Sequence, residues 1–466
     1  MVCAKGTNNV AKYYYSIDGG TYVESSNATY VFTGLNEKTN YSIKVKVVDT
    51  LGRESNVYSL SATTDAYVLS KVTNVSTSST SSSITINVSA SGGTGNVVKY
   101  YYSKDNGSNY VESTSSSYTF SNLTSDATFY VKVYVKDSNN RESSVSSTSI
   151  KTMIPTIKDV CSSGTNLASC IKTFGNKGSS ISNIYHHDAN LTNGAGDNSY
   201  RFAGASDKVN NYVCFGSNVT PCSENNLYRI IGVFGDKVKL IKSDYATSAL
   251  LGADGDYRRM YTANNYNNSN YKGNNLANVA AYNWNRTGQN TWSESNLNKV
   301  NLNTNFINNI GTEWASKIAE TTWKVGGNTW ANIDNQPAKT AYQNEIVSPV
   351  TKNTTDNATT YSAKVGLMYA SDYGFAAAPS AWTANLNTYN GEAIKNVNWM
   401  YMGLEEWTIS RDSDYSSIAF DVSYTGIVGS GSISNDAFGA RPVFNLTSSV
   451  TYVEGNGTKN SPIYIN

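Results

Sequence analysis

The chain has 466 residues, room for about three domains, and its 36 Lys+Arg against 35 Asp+Glu leave a net charge of +1. Charged residues are only 15% of the whole, and polarity comes instead from 59 Asn, beside 35 Tyr and 35 Gly. A neutral chain without a Lys/Arg cluster lacks the footprint of nucleic-acid binding, two histidines exclude a multi-His metal centre, and no apolar run reaches the roughly 18 residues of a membrane span. The composition reads as an extracellular binding surface rather than a cytosolic enzyme. No signal peptide opens the sequence.

An internal repeat governs the first third. Lys12-Tyr-Tyr-Tyr-Ser16 recurs as Lys99-Tyr-Tyr-Tyr-Ser103 at an offset of 87, and Asp49–Ser55 recurs as Asp137–Ser143 at 88. Tyr22–Ser25 and Tyr30-Val-Phe32 return at Tyr110–Ser113 and Tyr118-Thr-Phe120. Between these anchors, Tyr41-Ser-Ile-Lys-Val-Lys-Val and Phe129-Tyr-Val-Lys-Val-Tyr-Val alternate, as half-buried antiparallel strands do. Short strands in a unit of about 88 residues indicate a β-sandwich. The unit resembles fibronectin type III and related immunoglobulin-like domains, including the Gly34-Leu35 and Asn122-Leu123 steps. That resemblance implies two sandwiches, at 1–66 and 67–152, acting as spacer or stalk. The second copy has about 28 residues before Lys99, including Ser83-Ile-Thr-Ile-Asn-Val-Ser, and the first has 11 before Lys12. The first sandwich is therefore expected to lack its opening strands, with the chain or a partner continuing upstream of Met1.

A proline between strand-like runs marks 153–160 as a linker, and 161–466 reads as one α+β domain with long loops. Its cysteines form two close pairs, Cys161/Cys170 and Cys214/Cys222, which read as disulfides, with reduced structural thiols as the alternative. The four clustered thiolates of a zinc site are absent. Cys3 is left over, and a partner upstream of Met1 is one expectation for it. Leu227–Phe234 and Val238–Ile241 read as strands. Ser295 precedes apolar Leu297 and Val300, and Phe306, Ile307, Ile310, Trp314 and Ile318 then recur at three and four to set an apolar helical face, with Gly326-Gly327 as its stop. Val365–Tyr369, Trp407–Ser410, Ile418–Val422 and Arg441–Leu446 return to short strands.

Several of these stretches resemble a known family. Tyr200-Arg-Phe-Ala-Gly, Asn211-Tyr-Val-Cys-Phe-Gly, Leu227-Tyr-Arg-Ile-Ile-Gly-Val-Phe, Val365–Gly374 and Gly439-Ala-Arg-Pro-Val-Phe-Asn-Leu446 look like an uncharacterised surface domain of Gram-positive gut bacteria and their phages. From Trp407 to Arg441 the chain is also similar to the C-type-lectin fold of formylglycine-generating enzymes and of the variable proteins of diversity-generating retroelements. That resemblance implies a ligand face on Asp412, Asp414, Tyr415, Ser416 and Ser417, on Ser423 and Tyr424, and on Ser430, Ser432, Ser434, Asn435, Asp436 and Phe438. Trp407, Phe420 and Arg441 would be scaffold. Tyr among Ser, Asn and Gly is paratope chemistry, stiff contact area beside adaptable hydrogen bonds. Ordinary solvated loops need the same residues, and both readings stand at this point.

Catalytic and metal chemistry finds little support. His186 and His187 are adjacent and, on a strand, point to opposite faces. No cysteine follows Cys222, unlike the late pair that formylglycine-generating enzymes use. Asp254-Gly-Asp256 suits a turn better than a calcium loop. Glu405 and Glu406, with Asp412 and Asp414, could form a glycosidase pair, and Trp382, Trp399 and Trp407 could stack a sugar or simply fill a core.

The leading expectation is a non-catalytic adhesin or phage receptor-binding protein on a bacterial surface or virion. Its partners would be a glycan or surface-protein ligand and an upstream portion of the protein or a neighbouring subunit. No cofactor, metal, nucleic acid or membrane insertion is expected. The competing readings are a secreted carbohydrate-active enzyme and a pilin-like subunit that accepts a donated strand.

Overall fold

The alternation of the first third becomes strands in a computed structural model that describes residues 8–261, 268–349 and 359–466; Cys3 lies outside the described residues. The chain divides into two units between Ile154 and Pro155. In the first unit β1 (Val10–Ile17), β2 (Val23–Ser25), β3 (Asn40–Asp49) and β4 (Tyr58–Thr63) form one antiparallel sheet in the order β2-β1-β3-β4. The second copy has seven strands: β5 (Lys71–Ser79), β6 (Ile84–Ser91), β7 (Val97–Ser103), β8 (Val111–Ser113), β9 (Ser117–Phe120), β10 (Thr128–Asp137) and β11 (Ser146–Lys151). They make a three-stranded sheet, β5-β6-β9, and a four-stranded sheet, β11-β10-β7-β8. Ile84, Ile86 and Val88 of one sheet pack with Tyr102, Val131 and Val133 of the other, which is the immunoglobulin-like sandwich, two antiparallel sheets over an alternating core.

The repeat extends to side-chain contacts. Lys12–Glu24 at 2.7 Å is answered by Lys99–Glu112 at 2.6 Å. Tyr15 donates to the Asn27 carbonyl as Tyr102 does to that of Ser115. The four-stranded sheets of the two copies correspond, but the described residues of the first copy contain no counterpart of β5 and β6. Without a β6 to pair with, Tyr30-Val-Phe32 forms no strand although its repeat partner is β9. Tyr30 stays 39% exposed and Val31 77%.

Ile157 of the expected linker belongs to the second unit, where it is buried in that unit's core. A Thr156/Asp159 capping box closes the single turn around it. Both cysteine pairs are disulfides, Cys161–Cys170 and Cys214–Cys222. The first anchors α1 (Leu167–Gly175), whose start is capped by Asn166 accepting from the Ser169 N–H.

Two sheets organise the second unit. In one, β12 (Leu227–Phe234) and β13 (Lys237–Lys242) form a hairpin that turns through Gly235 at φ +63°. Tyr200–Phe202 and Tyr212–Cys214 pair with β12, and Val443–Asn445 pairs with β13. β12 is buried over nearly its whole length, as its unbroken apolar run requires. The other sheet runs Tyr257–Met260, Ala280–Tyr282, Phe438–Gly439, β14 (Glu406–Arg411), β15 (Ile418–Val422) and β16 (Val428–Ser432), with β16 at the edge. The wholly buried α2 (Ala370–Ala376) places Asp372 against Lys239 and Arg201.

The expected long helix is shorter and more irregular than its spacing predicts. Leu297–Phe306 winds with wide π-type turns, and Gly311, at φ +81°, breaks the path before Gly311–Ser316. The helix ends there rather than at Gly326-Gly327, because Thr321–Lys324 leaves to pair with Thr360–Ala363. Wide turns carry Asn298 and Asn301 into the core beside Leu297, Leu302 and Phe306. No helix among the described residues is long and apolar enough to cross a membrane.

Candidate functional site

The sequence-derived ligand face stands on a rigid base. Every residue of β14 is buried. Trp407 donates its indole N–H to the Tyr282 carbonyl and packs on Phe438 at 4.4 Å. Phe420 is fully buried, and Arg441 binds Glu406 at 2.7 Å and the Met400 carbonyl at 2.8 Å.

Two of the three loop segments meet at one end of the β15–β16 hairpin. Asp412 Oδ1 accepts from the Asp414 and Tyr415 N–H groups and sets the first turn. Asn290 Nδ2 then donates to the carbonyls of Asp412, Tyr415 and Ile418 at 2.7, 3.0 and 2.7 Å. The Ile433 N–H donates to the Ser417 carbonyl at 3.0 Å, which brings the second segment alongside. Asp436 accepts from the Ser432 N–H, and Asn283 holds the Ser434 and Asp436 carbonyls. Tyr415 is 66% exposed. Ser417, Ser430 and Asn435 are exposed, and Asp414, Ser416, Ser432, Ser434 and Asp436 are half-buried.

The third segment lies elsewhere. Ser423, Tyr424 and Thr425 form the turn at the opposite end of the five-residue β15, about 16 Å away at the strand rise. Two of the expected ligand contacts are also inside. Asp412 and Phe438 are 2% and 6% exposed, because one side chain builds the turn and the other completes the Trp407 core. The surface offered is therefore centred on Tyr415, Ser417, Ser430 and Asn435.

The acidic pair expected for hydrolysis does not assemble as the sequence suggests. Glu406 is tied to Arg441. Burial lifts Glu405 to about 7, with Asp436 adding to the rise and Arg259 opposing it; its Oε2 is buried without a hydrogen-bond partner. Asp412 is raised by burial too, but the charges acting on it are Asp414 and Arg411, so the two carboxyls belong to separate environments. Asp421 is pushed well above its usual range by burial, then by Glu405 and Asp436.

The remaining motifs resolve into structure. His187 is fully buried and accepts from the Ala195 N–H, and burial, then Arg201, lowers it to about 2, while His186 stacks on Tyr200 at 4.2 Å. Asp256 caps the Leu297 and Arg286 N–H groups. Among the described residues no three His, Cys, Asp or Glu side chains are grouped to hold a metal ion. Trp382, Trp399 and Trp407 are buried, each with its indole N–H on a main-chain carbonyl, so none offers a sugar-stacking face.

Sequence reasoning missed two groups. One is the buried asparagines that bind loop carbonyls, Asn283 and Asn290. The other is a cavity of about 340 Å³ lined by Arg229, Lys242, Tyr245, Tyr271 and Asn274 among others, and by none of the expected loop residues. The available signal was a charge inside an apolar strand, Arg229 in β12 and Lys242 closing β13.

No family model and no curated protein matches the chain. Solved structures similar to part of it include the three fibronectin type III domains of chicken CNTN1, with 18% identity over 31% of this chain and 57% of that one, TM-score 0.18. A two-domain fibronectin type III segment of chicken tenascin is 17% identical over 32% of this chain and 86% of that one, TM-score 0.18. Fibronectin(III)-like modules of Clostridium thermocellum CbhA give 18%, 32%, 82% and 0.17 in the same terms. This chain thus spans little more than half of the CNTN1 fragment. These neighbours carry the sandwich fold that the strand order of the second copy establishes by itself.

Proposed function

We propose that the protein is a non-catalytic adhesin or phage receptor-binding protein whose C-terminal domain, of the C-type-lectin kind, binds a glycan or surface-protein ligand. The fibronectin-type sandwiches and two disulfides fit an extracellular setting, since disulfides persist in oxidising compartments. One observation carries the reading. Tyr415, 66% exposed, rides on a loop whose main chain is locked by Asn290. A large aromatic held out on an ordered loop lowers the entropy lost on binding. The four-stranded sheet of the first copy, which has no second sheet over it among the described residues, suits a strand supplied by a neighbouring subunit. A glycan array and bacterial-cell binding with the full chain test the proposal. The expected result is a defined ligand whose binding falls at least tenfold in Tyr415→Ala; an array and cell panel with no binding refutes it.

A second reading has one observation in its favour. Glu405, held near neutrality by burial, has the protonation a general acid needs. A carbohydrate-active enzyme would hydrolyse a polysaccharide and lose that activity in Glu405→Gln.

A further inference from the structure

The cavity between β12, β13 and the 271–279 segment is lined by two buried cations, Arg229 and Lys242, that form no salt bridge among the described residues. Of its lining residues, Arg229, Lys242, Lys272 and Lys459 are cationic, and only Glu224 and Asp244 are anionic. Glu224 is already bound by Lys459 at 3.0 Å and by Asn274. Asp244 accepts the Tyr271 hydroxyl at 3.0 Å and the N–H groups of Asn274 and Tyr245. A Cβ at Gly273 would collide with Asp244 and the Tyr271 hydroxyl, so this wall closes tightly only with glycine there.

The two buried cations have neutral partners only. Arg229, 3% exposed, donates to Asn211 Oδ1 at 2.6 Å, Ser206 Oγ at 2.7 Å and the Val209 carbonyl at 2.9 Å. Its guanidinium carbon stands 4.4 and 4.6 Å from the centroids of the Tyr212 and Trp399 rings. Lys242, 5% exposed, reaches the carbonyls of Glu224 and Leu227 at 3.4 and 3.3 Å. An ammonium has three donors, and those two bonds are long. Burial lowers Lys242 to about 8, with Asp244 and then Glu224 opposing the fall and Arg441 adding to it, and burial lowers Arg229 to about 10 with Arg441 adding. Neither cation has a carboxylate at salt-bridge distance among the described residues; buried charge without such direct pairing is unfavourable, and an anion entering the cavity would offset part of that cost.

We propose that this cavity binds an anionic sugar unit. Its carboxylate or sulfate sits at Lys242 within reach of the Arg229 field, its ring lies along Tyr271, and its hydroxyls meet Asn225, Asn226, Asn274 and Asn275. A primary amide both donates and accepts, which suits a hydroxyl. A volume of about 340 Å³ is at the small end of ligand sites, large enough for one such unit. The inference rests on the reading that the C-terminal domain binds a glycan, and moves the specificity for charge from the loops to this cavity.

The test uses the full chain with four probes, glucuronic acid, N-acetylneuraminic acid, glucose 6-sulfate and methyl glucoside, in calorimetric titration and saturation-transfer NMR. One or more anionic probes should bind and methyl glucoside should not, and which anion binds assigns carboxylate or sulfate. Lys242→Met should weaken binding at least tenfold and Lys272→Gln, on the exposed rim, severalfold, while Lys339→Gln, an exposed lysine outside the cavity lining, should leave it unchanged. Lys272→Gln keeps the test decisive should Lys242→Met unfold. Equal binding of neutral and anionic probes, or binding indifferent to both lysine variants, overturns the cavity. A glycan that binds on the array and depends on Tyr415 alone also overturns it but leaves the proposed function standing. Failure of every probe overturns the cavity, and the proposed function falls with it only if the glycan array and the cell panel are blank as well.

Discussion

Arg441 and Glu406 are 1% and 2% exposed and meet at 2.7 Å, with Arg441 also donating to the Met400 carbonyl. In Arg441→Met the carboxylate of Glu406 stays buried and loses its counter-charge. Burial already raises that carboxyl, against the pull of Arg441, so it has no other means of staying ionised. Removing one member of a buried pair costs about 3–5 kcal/mol, whereas replacing both with apolar residues of similar volume is close to neutral. The double variant Arg441→Met/Glu406→Leu should therefore recover most of the loss. Guanidinium unfolding followed by Trp fluorescence measures both, since all eight tryptophans lie in the second unit. A single-variant loss under about 1 kcal/mol, or a double variant no better than the single, would refute the pairing as the reason this strand arginine is held.

Three further outcomes are expected. Burial raises Glu345 to about 7 from 4.5; the folded state then keeps a proton the unfolded chain has lost, so its stabilising contribution is full below about 4.5 and disappears as pH rises through about 7. Urea unfolding at pH 5 and pH 7.5 should show that fall, and Glu345→Gln should make it shallower, with Glu405, also raised to about 7, contributing to the remainder. Asn290→Ala removes a donor from three carbonyls, of which those of Tyr415 and Ile418 keep a main-chain N–H, and should cost about 1–3 kcal/mol, with amide exchange rising in 412–418. Tyr102→Ala should cost about 3–5 kcal/mol, and its repeat partner Tyr15→Ala less, because Tyr102 is fully buried between two sheets while Tyr15, 7% exposed, has a single sheet among the described residues; equal losses would contradict that difference.

How far the sequence could be read depended on how local each signal was. The sandwiches were legible because alternation along one strand fixes its two faces, and the 88-residue repeat supplied two readings of one pattern. The 297–318 spacing suggested a regular helix because Phe306, Trp314 and Ile318 do reach the core, yet the wide turns that insert Asn298 and Asn301 leave no mark in an apolar pattern. In the ligand face, contiguity misled: Tyr415 and Ser423 are eight residues apart, but β15 lies between them and sends them to opposite ends. Asp412 looked like a ligand contact because an exposed carboxylate and a turn-building one are the same residue on paper. The cavity draws on residues from Ser206 to Lys459, and no window of sequence brings those together.

The Asn290 clamp has a consequence for how this surface can change. Its three hydrogen bonds end on main-chain oxygens of Asp412, Tyr415 and Ile418, and Asn283 treats Ser434 and Asp436 in the same way. Every residue has a carbonyl, so these bonds are blind to the side chains they anchor. Substitutions at 414–417 and 434–435 leave the loop path intact, while the buried amides that set that path sit about 120 residues upstream (Asn290 to Asp412). Apart from Asp412 and Asp436, whose carboxylates also build the turns, the residues that fix this path are thereby separate from those the loops display, so the exposed side chains can change without the fold being rebuilt around them.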